Sequence, residues 1–378
     1  MGDVETPRTN NEVTRDESAS AQQEEQQQQQ QQQQQHMMKS EESTQCPSVC
    51  PSELELFSFD TLGFLVVRGV LSPAQVAEVN SAIDAQTMQG NAHERQGAMR
   101  LTGAGGTALA PLVGDGTTGR MDLGNALKWG GDPLRSILTH PRLIPYMHAF
   151  LGKGYRLDHQ PITILQNQGA EGFDLHGGPI DANGNWDPHL AYHFSHGMVR
   201  TQLLGVSVQL VDTKAGDGGF AIIPGSHKSN FKCPGIAKKL GLEEFSLTQE
   251  QQPLTVSPEV RAGDVILFSE ACTHGTLAWK SERQRRIVIY RFSPANIGYG
   301  RNYSEEANGG GWDKETLASM TDAMKSVLQP PFHPRLDRMT LSMDSADQNP
   351  LTVTAGVEKP RPAAKKAFDT AVFGTEYF

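Results

Sequence analysis

The sequence predicts a mainly β fold with flanking helices. Three observations carry this. Short β-prone runs follow one another from Tyr155 onward, at 161–166, 203–211, 220–223, 254–256, 265–268 and 287–292. Explicit turn chemistry precedes two of them, Ala215-Gly216-Asp217-Gly218-Gly219 and Arg261-Ala262-Gly263-Asp264. The helical patterns lie ahead of the β-prone half rather than alternating with it. Short strands separated by Gly, Pro and Asp suggest an antiparallel sandwich or barrel.

Taken in order, residues 1–50 form a polar, acidic tail. Residues 1–60 hold twelve acidic and three basic side chains, against a net charge of −10 for the whole chain. Gln26 to Gln35 is an unbroken Gln run. Such a segment has too little apolar surface to offset its ordering entropy, so it is expected to be disordered. It reads as a tolerated low-complexity extension, with tail-mediated protein contacts as the sharper alternative. The remaining residues are close to neutral, which argues against a broad electrostatic grip on nucleic acid or anionic lipid. No run approaches the ~20 apolar residues of a membrane span. The first thirty residues resemble neither a secretory signal nor a mitochondrial presequence. Four cysteines make no disulfide framework. Cys46 and Cys50 are read as free thiols in the tail, the other two as ordinary buried residues. A cytoplasmic setting follows as an expectation.

The folded part starts near Leu54. Residues 63–68 read as a short buried strand. Ser72-Pro73 supplies an N-cap and a Pro at the first helical position, and Val76, Val79 and Ile83 continue at helical spacing, predicting a helix over 73–86. Residues 88–125 read mostly as loop. Two short helices follow at 133–139 and 141–151, the second closed by Gly152. After the β-prone runs, residues 294–350 lose the rhythm and are expected to wrap the barrel. This gives a tail over 1–50, one domain over 51–350 and a C-terminal tail over 351–378.

Two histidines stand out by context. His176 ends the β-prone Phe173-Asp174-Leu175 and leads into Gly177-Gly178-Pro179; His274 follows the run 265–268 within Glu270-Ala271-Cys272-Thr273-His274-Gly275-Thr276. Two imidazoles and one carboxylate on one face leave open positions on Fe(II), but spacing alone is a weak signal for it. The segment 187–196 adds His189, His193 and His196. Its Pro, Asn, Gly and Asp content argues for a loop near the barrel mouth, with His193 a candidate for a substrate contact or an alternative ligand. His227 is read as a structural turn residue.

The wording of the sequence then adds more than its spacing. Gly63-Phe64-Leu65-Val66-Val67-Arg68-Gly69, Gly218-Gly219-Phe220-Ala221-Ile222-Ile223-Pro224-Gly225-Ser226-His227-Lys228, and Gly263-Asp264-Val265 followed by His274-Gly275-Thr276 and Arg285-Arg286 resemble the phytanoyl-CoA dioxygenase family over roughly 56–296. That resemblance implies a double-stranded β-helix, a cupin-like jelly roll. It implies Fe(II) and 2-oxoglutarate as cofactors, O2 as cosubstrate, and a dioxygenase that hydroxylates an aliphatic C–H of a small organic substrate, releasing succinate and CO2. By the family's pattern His176 and His274 are metal ligands and Arg285 grips the far carboxylate of 2-oxoglutarate, with Thr276 a second donor to it. A guanidinium suits a carboxylate because it can offer two parallel hydrogen bonds. On a strand, Arg286 would point the other way.

The sequence departs from the pattern at one place. The family writes its site His-x-Asp, and position 178 is Gly. Asp181 is the preferred replacement, Asp174 the second choice, and no carboxylate the third. The last would suit an iron halogenase, in which chloride fills the vacancy, or a non-catalytic jelly-roll binding protein with a relic site.

Overall fold

The computed structural model describes residues 2, 51–89, 119–124, 126–170, 172–180, 184–233, 254–299, 314–331, 339–343, 353–357 and 360–374. Those from 51 onward lie in one compact unit, Val49–Phe378. The expected tail 1–50, with Cys46 and Cys50, lies outside the described residues apart from Gly2.

The strands are β1 (Phe64–Val67), β2 (Arg120–Leu123), β3 (Arg156–Gln166), β4 (Phe173–His176), β5 (Tyr192–Ser195), β6 (Met198–Thr201), β7 (Leu204–Gln209), β8 (Gly219–Ile222), β9 (Val265–Ser269), β10 (His274–Leu277), β11 (Arg285–Ser293), β12 (Thr340–Met343) and β13 (Val353–Gly356). A six-stranded sheet runs β1-β9-β7-β11-β3-β2 and a three-stranded sheet runs β4-β10-β8, with two further hairpins, β5-β6 and β12-β13. Every one of these pairings is antiparallel. The fold is a mainly antiparallel jelly roll with flanking helices.

Strand alternation sorts the large sheet into two faces. On β9 and β11, Val265, Leu267, Val288, Tyr290 and Phe292 join the main core, together with Val79 and Ile83 from one helix and Met147 and Phe150 from another. The opposite face carries Ile266 and Phe268, packed with Phe220 and Ile222 of the small sheet, and the cluster Ile162, Ile164 and Ile287. β7 and β9 are buried at every position, as strands covered on both faces must be.

Helices α1 (Glu53–Leu62) and α2 (Pro73–Gln89) flank β1. The second matches the helix predicted over 73–86. The first closes a capping box, Ser52 with Glu55, and stops at Gly63 with φ 77°. Helices α4 (Gly131–Ser136) and α5 (Ile144–Phe150) fall on the two short helices predicted at 133–139 and 141–151, and α3 (Ala126–Trp129) precedes them unpredicted. Three expectations change. Residues 120–123 and the segment 187–196, read as loop, supply β2 and the first strand and turn of the β5-β6 hairpin. Run 254–256 yields a single bridge, Ile222↔Val256, rather than a strand. Within 351–378, β13 pairs with β12 and residues Ala363–Phe373 form a helix whose Asp369 is buried and bonded to Arg361. Among the described residues no helix is long and apolar enough to cross a membrane.

Candidate metal centre

His176 and His274, far apart in the chain, are direct cross-strand partners where β4 meets β10, and their ring centroids lie 4.3 Å apart. Opposed residues of an antiparallel pair bring their Cβ atoms to about 5 Å, so both imidazoles share one face. After His176 the chain turns sharply. Gly177 has φ 82°, and a Cβ there would meet the Cys272 and Glu270 carbonyl oxygens at 2.6 and 2.7 Å. Only glycine fits this approach.

The carboxylate brought to this pair is Glu270. It sits in the turn from β9 to β10, crossing from one sheet to the other. Donor atoms of His176, Glu270 and His274 all lie within 4.8 Å of one another. The turn is tied down: the Glu270 N–H donates to the Leu203 carbonyl at 3.0 Å, and the Thr273 N–H to Ser226 Oγ at 2.8 Å. Glu270 Oε1 accepts from Arg291 Nε at 2.7 Å. Burial opposes its ionisation, but Arg291 and the two imidazoles outweigh this and hold the carboxyl at about 2.

The polarity of His274 is fixed by its neighbours. Nδ1 lies 2.8 Å from the Cys272 carbonyl, which can only accept, so Nδ1 carries the hydrogen. Burial lowers the pKa of the ring, against the pull of Glu270. Nε2 faces Glu270 Oε2 at 3.4 Å, an ion pair when the ring is protonated. With the ring neutral, as metal ligation requires, two acceptors face each other in a buried place, and a cation between them relieves the repulsion. A carbonyl on the far nitrogen is also the usual support of a metal-bound histidine.

His176, His274 and Arg291 line a cavity of about 110 Å³ between the two sheets. This is below the ~300–1,000 Å³ of pockets for drug-sized ligands, so a compact occupant fits. Ile162, Ile164, Phe220, Ile287 and Ile289 line it, with Thr276 and Arg285. Arg285 is 1% exposed. Its Nη1 donates to Gln166 Oε1 at 2.6 Å, and its Nε is buried with no partner. An orphaned buried donor costs about 1–3 kcal/mol, more when charged, so this one awaits an acceptor. Burial and the adjacent Arg120 depress the guanidinium to about 9, against the pull of Asp122. Arg286 faces away, to Asp84 at 2.7 Å, as alternation requires.

Of the other candidates, His193 is exposed on the β5-β6 hairpin, beside Trp186 at 6.2 Å between ring centroids, and does not line the cavity. Asp181 lies outside the described residues, as does the side chain of Asp174. Gly178 has φ 91°, a conformation that L side chains rarely adopt, so position 178 is no regular strand slot left vacant. His227 is buried, with Nε2 3.0 Å from the Asp60 carbonyl and Nδ1 3.5 Å from Cys272 Sγ. Burial raises the Cys272 thiol to about 12. Cys233 is half-buried rather than buried. Glu270 and Arg291 escape sequence reasoning. The one signal is an acid four residues before His274, just past the apolar run 265–268.

Residues 177–287 match the Phytanoyl-CoA dioxygenase (PhyH) family model. The matched stretch begins one residue after His176 and contains Gly178, Glu270, His274 and Arg285. No curated protein sequence matches the chain. Among solved structures, the chain is similar to HygX from Streptomyces hygroscopicus with iron bound, at 21% identity and TM-score 0.52, covering 67% of this chain and 90% of that one. It is similar to HygX with nickel and 2-oxoglutarate bound, at 20% identity and TM-score 0.50, covering 66% and 90%. Apo HygX matches at 21% identity and TM-score 0.50, covering 67% and 90%. This likeness establishes the shared fold.

Proposed function

We propose that this protein is a non-haem Fe(II)/2-oxoglutarate-dependent dioxygenase, hydroxylating an aliphatic C–H of a small organic substrate and releasing succinate and CO2. The observation that carries the reading is the buried convergence of His176, Glu270 and His274. The facing acceptors of Glu270 and His274 fit a cation, and the partnerless Nε of Arg285 fits a carboxylate in the same cavity. HygX, of like fold, has been solved with iron and with 2-oxoglutarate, and this supports both cofactors here.

His176, Glu270 and His274 would hold the metal through two nitrogens and one carboxylate oxygen, a donor set that leaves positions open on Fe(II). When bound, iron with 2-oxoglutarate and O2 supplies the C–H oxidation. The Cys272 carbonyl keeps His274 in the tautomer whose Nε2 can ligate. Arg285 would receive the far carboxylate of 2-oxoglutarate through Nε, and Gln166 fixes the guanidinium from its other side. Thr276, in the same cavity, offers a hydroxyl to that carboxylate. The isoleucines and Phe220 keep water from the site. The halogenase alternative rests on a missing acid, and the presence of Glu270 beside the two histidines favours hydroxylation over it.

Anaerobic addition of Fe(II) and then 2-oxoglutarate tests the reading. A visible charge-transfer band that needs both, and that is absent in His274→Ala, is the expected result. No band and no saturable Fe(II) binding would leave a jelly-roll binding protein.

A further inference from the structure

We propose that Arg291 is a positioning residue of the metal centre, fixing Glu270 as the carboxylate ligand that stands in for the acid absent at Gly178. The inference rests on the reading of His176, Glu270 and His274 as metal ligands. In the His-x-Asp pattern the acid is held by the same strand as the first histidine. Glu270 instead comes from the turn joining the two sheets, on a longer side chain with more torsions to fix, and needs an anchor of its own. Arg291 supplies it. The guanidinium reaches the carboxylate from β11, where Arg291 is paired with Gly205 of β7 on one side and His159 of β3 on the other. It occupies the cavity face of that strand, as Arg285, Ile287 and Ile289 do.

The bond is selective in its atoms. Arg291 Nε takes Oε1 at 2.7 Å, while Oε2 is left facing His274 Nε2 at 3.4 Å. One oxygen is held and the other is presented, which suits a carboxylate binding through a single oxygen. Among the described residues Arg291 makes no other hydrogen bond, so the one that orients it goes to Glu270. The side chain is also remote from Arg285 along β11, with two isoleucines between them on the same face. Loss of Arg291 is therefore expected to affect the metal and leave the anion end of the cavity in place.

The test is a calorimetric titration of chelator-treated protein with Co(II). Supporting partners of metal ligands are typically worth about 10–100-fold in affinity, and that is the loss expected for Arg291→Leu. Arg291→Lys keeps a cationic donor and is expected to recover most of it. Glu270→Ala should lose at least as much as Arg291→Leu. The double variant should bind within about twofold of Glu270→Ala, because the hydrogen bond of Arg291 goes to that carboxylate. If Arg291→Leu fails to fold, Arg291→Gln carries the same comparison. Parent-like Co(II) affinity in the Arg291 variant, or losses that simply add in the double variant, would overturn the inference. Parent-like affinity in Glu270→Ala and His176→Ala would instead overturn the metal-site reading beneath it.

Discussion

Two histidine-bearing regions of this molecule behave in opposite ways. His189, His193 and His196 crowd into one short stretch of sequence and then separate. His189 faces Asp187, His193 lies exposed beside Trp186, and His196, at φ 53°, forms the two-residue turn between β5 and β6 with Gly197 at φ 73°. Both φ values positive mark a type I′ hairpin, so His196 serves the turn. His176 and His274 are remote in sequence and directly opposed in the small sheet, where Glu270 joins them. Proximity along the chain puts side chains on a surface. Antiparallel pairing puts them on one buried face, where two imidazoles and a carboxylate can share an ion.

The contrast breaks most sharply by substitution on each side of it. His274→Ala should weaken Fe(II) binding by more than about 100-fold, on the scale of losing one of three ligands. His193→Ala should leave it unchanged in the same anaerobic titration. The anion end gives the next largest effect. Arg285→Gln should raise the 2-oxoglutarate Kd by about 30–100-fold, since a charge-assisted hydrogen bond is worth about 1.5–3 kcal/mol and a buried carboxylate would be left short. Arg286→Gln, which loses a half-buried pair with Asp84 outside the cavity, should cost about 1 kcal/mol of stability and nothing in binding.

Gly178→Asp sharpens the comparison by asking whether the His-x-Asp pattern can be restored. With φ at 91°, the substitution should destabilise by about 1–3 kcal/mol in urea unfolding and should not rescue Co(II) binding in Glu270→Ala. A separate effect is a pH dependence of stability away from the metal. Burial holds His227 and His140 at about 4, whereas an unfolded histidine titrates near 6.5. Between those values the unfolded chain binds protons that the folded one does not. Stability should therefore fall as pH drops from about 6.5 to 4 and stay flat above. The loss is about 2 kcal/mol per residue after discounting for partial solvation, and His227→Gln should remove its share.

Much of the barrel is legible in the sequence because its strands are short apolar runs with Gly and Asp between them. Run 265–268 becomes β9 and run 287–292 becomes β11, each extended by a residue or more. Arg285 and Arg286 divide between cavity and surface as alternation alone requires. Strand β2 is not legible, since Arg-Met-Asp-Leu gains its place only by pairing with Ile164 and its neighbours on β3. Glu270 is hidden for the same kind of reason. Its role comes from a turn that carries the chain between sheets and from Arg291 on another strand, neither of which leaves a local pattern. The departure at Gly178 shows on the page, but its resolution lies across the cavity. The helix at 53–62 is not among the predicted elements, although its capping box, Ser52 with Glu55, is a local pattern.

The most direct test of the convergent site is anomalous diffraction from crystals grown with Fe(II) under nitrogen. The account predicts one strong peak within about 2.0–2.2 Å of one nitrogen each of His176 and His274 and one carboxylate oxygen of Glu270. A peak coordinated by Asp181 in place of Glu270, or an ion bound only at the His189–His196 hairpin, would contradict it.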